Sequence, residues 1–288
     1  MATPAQAKLS TGITGTTATA ISAVNYAYLQ QVVYKDSGIV LEENKHYLLD
    51  SRLHQIVRRE QMKSLDDLCT RLRSEPKPVL RKEVVEAMTT NETLFFRDAA
   101  PFEALRTTLL PKIQALRAQT KRLSFWSAAS SSGQEAYSLA MMLVELGLRD
   151  WTVEILGTDL SQQMVERART ARYMQIEVNR GLPANYLVKY FHRDGLMWEL
   201  KPEVRKMVKF QQFDLRQSMR SLGTFDFVFC RNVLIYFDVE TKKKILEEIR
   251  KVMNPSGFLL LGSAETTVNL NDNFKRTAIG QAVYYENV

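Results

Sequence analysis

The chain has 288 residues, a formal charge of +7, 45% hydrophobic and 25% charged side chains, which suits a folded protein of one large and one small domain. Its apolar runs, Phe258–Leu261 among them, are far too short to span a bilayer. Met1–Lys8 lacks the basic start and apolar core of a secretory signal, so a cytoplasmic protein with no direct membrane insertion is expected. Two cysteines without ligand spacing and only three histidines argue against a disulfide framework, a zinc site or a Cys/His nucleophile, and the positive charge fits an acidic protein partner as well as a nucleic acid.

Residues 1–22 are rich in Thr, Ala, Ser and Gly and are expected to be disordered. Over 23–90 the pattern is helical: Leu48, Leu49, Leu53, Ile56 and Val57 recur at three- and four-residue steps, as do Leu65, Leu68 and Leu72. Pro76 and Pro78 interrupt before Val79, Leu80, Val84, Val85 and Met88 resume, which predicts a small all-α domain. Within it Lys45, Arg52 and Arg59 stand seven apart and stack into one basic stripe, either a partner surface or a solvated helix face.

A link over 91–100 leads to an amphipathic helix with Phe102, Leu105, Leu109 and Ile113, and then strands and helices alternate. Leu123–Ala129 reads as strand, Gln134–Leu146 as helix, Val153–Thr158 as strand and Met164–Ala171 as helix. Phe225–Cys230 is strand, Thr241–Met253 helix and Gly257–Gly262 strand. This alternation predicts an α/β fold with a mostly parallel sheet covered on both faces. The rhythm breaks over about 173–213. There the turn pair Asp194-Gly195 separates strand-like runs and Met207–Phe213 follows, which reads as an inserted antiparallel β-subdomain.

Ligands in such sheets bind past the carboxyl ends of the strands. Arg231, Asn232 and Tyr236 follow the buried-type strand Phe225–Cys230, although a turn asparagine and a surface arginine would read the same way. Ser130–Glu135 joins the first strand to its helix where a nucleotide fold puts a tight small-residue turn, and Ser132 with Glu135 equally suits a capping box. Asp159 ends the second strand, where an acid takes ribose hydroxyls or where a helix N-cap would sit. Together these features point to an adenosine-containing ligand. Helix, Asn254-Pro-Ser-Gly257 turn and apolar strand is a habit of methyltransferase sheets, which favours S-adenosylmethionine.

Five ordered segments then carry a family resemblance: Thr89–Arg97, Trp126–Ser138, Gly157–Asp159, Ala168–Tyr173 and Phe229–Phe237. From about Tyr26 to the end the chain resembles the CheR-type chemotaxis receptor glutamate methyltransferases. Gln134, Ala136 and Gly262-Ser-Ala-Glu265 depart from the family's usual Glu, Pro and Gly-His-Ser-Glu. The resemblance implies a class I S-adenosylmethionine-dependent methyltransferase domain over 101–288, with a Rossmann-like, mostly parallel seven-stranded sheet, the β-subdomain inserted in it and the all-α domain before it. It implies cofactor contacts at Asn91, Thr93, Arg97, Glu135, Asp159, Asp214, Leu215, Arg231 and Asn232. The product is S-adenosylhomocysteine, and no metal is expected.

The implied acceptor is a glutamate on the cytoplasmic helical region of chemotaxis receptors. Ionised at neutral pH, it needs no general base, so Arg97 and Tyr236 are expected to position its carboxylate, with Lys45, Arg52 and Arg59 docking the receptor helix. A methyltransferase acting on nucleic acid and a non-catalytic S-adenosylmethionine sensor are the competing classes. The first lacks an aromatic-interleaved basic stretch, so no nucleic-acid partner is expected. The second would lose acceptor-site residues such as Arg97 and Tyr236, and both are present.

Overall fold

The computed structural model describes residues 21–74, 78–148 and 150–288. The expected disordered segment lies outside these except at its end, where Ile21 is buried and the Ser22 N–H and hydroxyl donate to Asp66. Four helices follow: α1 (Ala23–Ser37), α2 (His46–Arg59), α3 (Leu65–Ser74) and α4 (Pro78–Met88). Each buries one stripe, such as Leu49, Leu53, Ile56 and Val57 on α2, because these positions return to the same face every turn or two. The stripes meet in one small core.

The second part holds a seven-stranded sheet. Its strands are β1 (Arg122–Ser127), β2 (Thr152–Asp159), β6 (Val208–Gln212), β7 (Phe225–Cys230), β8 (Met253–Leu261), β9 (Phe274–Ile279) and β10 (Ala282–Asn287), in the order β6-β2-β1-β7-β8-β10-β9. Only β10 runs against its neighbours. Ahead of β1 lie α5 (Ala99–Ala104) and α6 (Leu110–Leu116), joined by a π-helical turn. Helices α7 (Gln134–Glu145), α8 (Gln162–Thr170) and α12 (Val239–Lys251) make the crossovers. Strand β7 is buried throughout, as its apolar run predicts: Phe227 and Phe229 enter one core, Val228 and Cys230 the other.

The one acid in that strand, Asp226, is buried at the end of the sheet away from the β7 carboxyl terminus. It accepts from Arg117 Nε, Ser124 N and Oγ, and Asn254 Nδ2 at 3.0 to 3.1 Å, which satisfies a charge that burial would otherwise make costly.

A separate antiparallel sheet, in the order β3-β5-β4, contains β3 (Arg172–Met174), β4 (Phe191–Asp194) and β5 (Met197–Leu200). Short helices α9 (Gln175–Val178) and α10 (Ala184–Tyr190) lie between β3 and β4, and α11 (Pro202–Arg205) follows β5. Asp194 pairs with Met197, so Gly195-Leu196 forms the two-residue turn, one position later than expected, with Gly195 at φ +59°. The larger correction concerns Met207–Phe213. Instead of joining this sheet, β6 pairs in parallel with β2 as the edge of the main sheet, with Val208 and Phe210 turned inward. A half-polar run such as Val-Lys-Phe-Gln-Gln suits either edge, and only the packing of Phe210 against Tyr137 and Gly157 selects one.

The helical part is seated on the sheet's carboxyl end. Arg216 donates to the last carbonyls of α1 (Tyr34, Lys35 and Asp36), and the Val40 N–H donates to Tyr236 O. Gly38 ends α1 at φ +75°, and a Cβ there would lie 2.7 Å from Arg216 Cδ, so both its backbone angle and this close approach call for glycine.

Candidate functional site

A cavity opens beyond the carboxyl ends of β1, β2 and β7 and encloses about 910 Å³ with its open mouth included. It lies where the strand order reverses, between β1 and its neighbours β2 and β7. Asn91, Thr93, Arg97, Glu135, Asp159, Asp214, Leu215, Arg231, Asn232 and Tyr236 all line it. Reasoning from sequence missed Ser37, Ile39, Thr89 and Thr90, which the helical part contributes, because no local pattern encodes how two parts of a chain dock.

The loop after β1 is tight for a steric reason. Ser131 and Gly133 adopt φ +48° and +95°, and a Cβ on Gly133 would meet Ala168, Phe210 and Tyr137 at 3.1 Å. No capping box forms: the Ser132 hydroxyl bonds Gln134 Oε1, while Glu135 accepts from Ser127 Oγ at 2.8 Å and Arg231 Nη1 at 3.0 Å. Glu135 stands in the first turn of α7, where the helix dipole favours its charge.

Asp159 is not a helix cap. Ser161 caps α8, and the two Asp159 oxygens accept from Ser131 N at 2.8 Å and Ser161 N at 2.9 Å. Each keeps acceptor capacity toward the cavity. Burial pushes its carboxyl above the ordinary aspartate value, and the Ser161 and Ser131 amides oppose the rise.

Arg231 leaves β7 buried between Glu135, Arg97 O at 2.9 Å and Asp98 Oδ2 at 2.7 Å, and its Nε has no partner among the described residues. The surface-charge reading of Arg231 therefore fails. Asp214 is clamped by Arg216 through paired bonds of 2.6 to 3.1 Å, so its carboxylate is already committed, and it lines the cavity beside buried Leu215.

The link is held at several points. Ser131 Oγ donates to Asn91 O, Phe96 N donates to Ser138 Oγ, and Phe95 is buried edge-on against Tyr173 and Phe191. Phe96 and Asp98 take left-handed φ of +47° and +58° on either side of Arg97. Gly181 comes so close that a Cβ would sit 2.0 Å from Phe95 O. Among the described residues the Arg97 guanidinium makes no hydrogen bond or ion pair, and the Tyr236 hydroxyl makes no hydrogen bond. Both are partly exposed in the cavity lining.

The basic stripe lies outside the cavity lining, and its members are engaged. Lys45 pairs with Glu42 at 3.1 Å and Arg59 with Glu83 and Glu60, whereas Arg52 donates to Met88 O, Thr89 O and Thr90 Oγ1. Arg52 thus braces the carboxyl end of α4 and the start of the link, directly behind the cavity-lining Thr89 and Thr90.

Among the described residues no group of three or more His, Cys, Asp or Glu side chains is placed to hold a metal ion, and no helix is long and apolar enough to cross a membrane. Both cysteines are buried, which raises the Cys69 thiol to about 11 and the Cys230 thiol well above its ordinary value. Neither is a nucleophile at neutral pH.

The family model described as CheR methyltransferase, SAM binding domain, matches residues 91–283, and that described as CheR methyltransferase, all-alpha domain, matches 25–89. The chain is 42% identical over 258 residues to Chemotaxis protein methyltransferase Cher2 of Pseudomonas putida, covering 88% of this chain and 94% of that one. It is 44% identical over 258 residues to Chemotaxis protein methyltransferase 1 of Pseudomonas aeruginosa, covering 87% and 93%. To the Chemotaxis protein methyltransferase of Vibrio parahaemolyticus it is 39% identical over 276 residues, covering 94% and 99%.

Proposed function

The chain belongs to the CheR methyltransferase family, and from that premise we propose that it transfers the methyl group of S-adenosylmethionine to glutamate side chains of chemotaxis receptors. The products are glutamate methyl esters and S-adenosylhomocysteine. The observation that carries this reading is an Arg97 guanidinium and a Tyr236 hydroxyl, both without a partner among the described residues, in the same cavity as the buried, partly satisfied Asp159 carboxylate.

The cavity suits an adenosyl ligand. Asp159 has acceptor positions left for ribose hydroxyls, and Leu215 with Asp214 offers a wall for the base. Glu135 complements an ammonium group, and the unpartnered Arg231 Nε is a donor in want of an acceptor. Asn91, Thr93 and Asn232 complete the lining.

When bound, S-adenosylmethionine supplies a sulfonium methyl that is already electrophilic, so this reading assigns no role to a metal. The residues then have to align, desolvate and hold. A glutamate with a pKa near about 4.3 arrives ionised and needs no base. Arg97 offers a planar fork to its carboxylate, and Tyr236 donates a hydrogen bond that orients the attacking oxygen.

In this proposal 23–90 is the receptor-facing helical domain, 91–100 the link lining the cofactor site, and 101–288 the transferase domain. The partner is the cytoplasmic helical region of the receptors, which places the protein in the cytoplasm. Lys45 and Arg59 remain candidates for docking, and Arg52 acts from behind the cavity.

The test is incubation with labelled S-adenosylmethionine and receptor-bearing membranes. Label on the receptor that mild base releases, as it releases an ester, supports the proposal. Base-stable label, or none, refutes it.

A further inference from the structure

Glu265 lies outside the cavity lining, yet it organises the segment that carries Asn232, Val233 and Tyr236 within it. Its Oε2 accepts the N–H groups of Asn232 and Gly262, both at 2.7 Å, and its Oε1 accepts those of Val233 at 2.9 Å and Ile235 at 3.3 Å. One carboxylate thus gathers backbone donors from the end of β8 and from the turn after β7. That turn has reason to need an anchor. Asn232 is left-handed at φ +57°, and its chain must reverse to bring Tyr236 back over the cavity. Unsatisfied, these amides would point together and repel, whereas an anion at their focus converts them into a nest.

We infer that Glu265 is a positioning residue for methyl transfer, fixing Asn232 toward the cofactor and Tyr236 toward the acceptor through the backbone of 232–235. Its part toward Tyr236 rests on the proposed function, and its part toward Asn232 needs only cofactor binding. Gly262 supplies independent support. A Cβ there would lie 2.7 Å from Glu265 Oε2, 2.8 Å from Asn232 Nδ2 and 2.9 Å from Asn232 N, so the strand end has no room for a side chain where the carboxylate meets the turn. Shifts of an ångström in such positioning elements cost on the order of 100-fold in rate.

The full chain is compared with Glu265→Ala, Glu265→Gln and Gly262→Ala. Circular dichroism checks the fold, calorimetry reads S-adenosylhomocysteine affinity, and methyl transfer to receptor-bearing membranes is measured at saturating S-adenosylmethionine. Glu265→Ala should raise the dissociation constant about tenfold and lower the saturated rate about 100-fold. Glu265→Gln should fall between, since its single carbonyl oxygen can keep only one of the two N–H pairs. Gly262→Ala should move both quantities in the same direction.

Parent affinity and parent saturated rate in folded Glu265→Ala overturn the inference, even if its melting temperature drops, because that pattern is purely structural. Should Glu265→Ala not fold, parent values in Glu265→Gln and Gly262→Ala overturn it instead. If the parent itself does not methylate receptors, the proposed acceptor is wrong. The calorimetric comparison then decides alone: a raised dissociation constant in Glu265→Ala upholds the positioning of Asn232, and an unchanged one overturns it.

Discussion

Asp159→Ala is the most direct probe of the cavity. Each Asp159 oxygen accepts one backbone N–H, from Ser131 at 2.8 Å and Ser161 at 2.9 Å, so acceptor positions remain for two ribose hydroxyls. A hydrogen bond to a charged group contributes about 1.5 to 3 kcal/mol. Losing even one net bond predicts a dissociation constant for S-adenosylhomocysteine raised about 10- to 150-fold. Asp159→Asn retains one carbonyl oxygen and should fall between parent and alanine.

The carboxylate also predicts a pH dependence. Burial raises its pKa, and only the ionised form accepts from both amides and both hydroxyls. Parent affinity should therefore be full above that raised pKa and decline as pH falls through it, while Asp159→Asn lacks this acid limb. Calorimetry across about pH 4 to 7 measures both effects. Alanine affinity within about threefold of parent would remove Asp159 from the ribose site, and an acid limb that persists in Asp159→Asn would assign it to another group.

Arg97→Ala and Tyr236→Phe should lower transfer at saturating cofactor by about tenfold or more while changing S-adenosylhomocysteine affinity less, because their proposed partner is the acceptor; parent turnover in both would refute this. Arg52→Glu should weaken S-adenosylhomocysteine binding as well as receptor methylation, since it releases Met88 O and Thr89 O behind the cavity, whereas Arg59→Glu should leave that affinity unchanged. Calorimetry on the two single variants separates bracing from docking. Asp226→Ala strips the buried partner from Arg117 and should cost about 3 to 5 kcal/mol in denaturant unfolding. Below its melting temperature it should bind S-adenosylhomocysteine like the parent, because Asp226 sits at the opposite end of the sheet from the cavity.

Period and punctuation in the residue order were enough for the α/β alternation, the helical N-terminal part and the buried β7, because these depend on which faces are apolar. That the small-residue loop, Asp159 and the polar cluster after β7 come together at one cavity was legible for a related reason: the loops at the carboxyl ends of parallel strands share one end of the sheet. The choices between bland and functional readings were different. Whether Asp159 capped a helix turned on its near neighbour Ser161, but whether Arg231 was a surface charge and whether Arg52 belonged to one surface with Lys45 and Arg59 turned on partners far away in sequence. Ser161 took the cap, Glu135 and Asp98 enclosed Arg231, and Arg52 was drawn to the end of α4.

The assignment of 208–212 to the main sheet and the reach of Glu265 into the turn at Asn232 belong to the same class. Local sequence sets what each segment can bury. Tertiary packing decides which unsatisfied backbone group or charge finds which partner, because those bonds form only after distant segments have been brought within about 3 Å of each other.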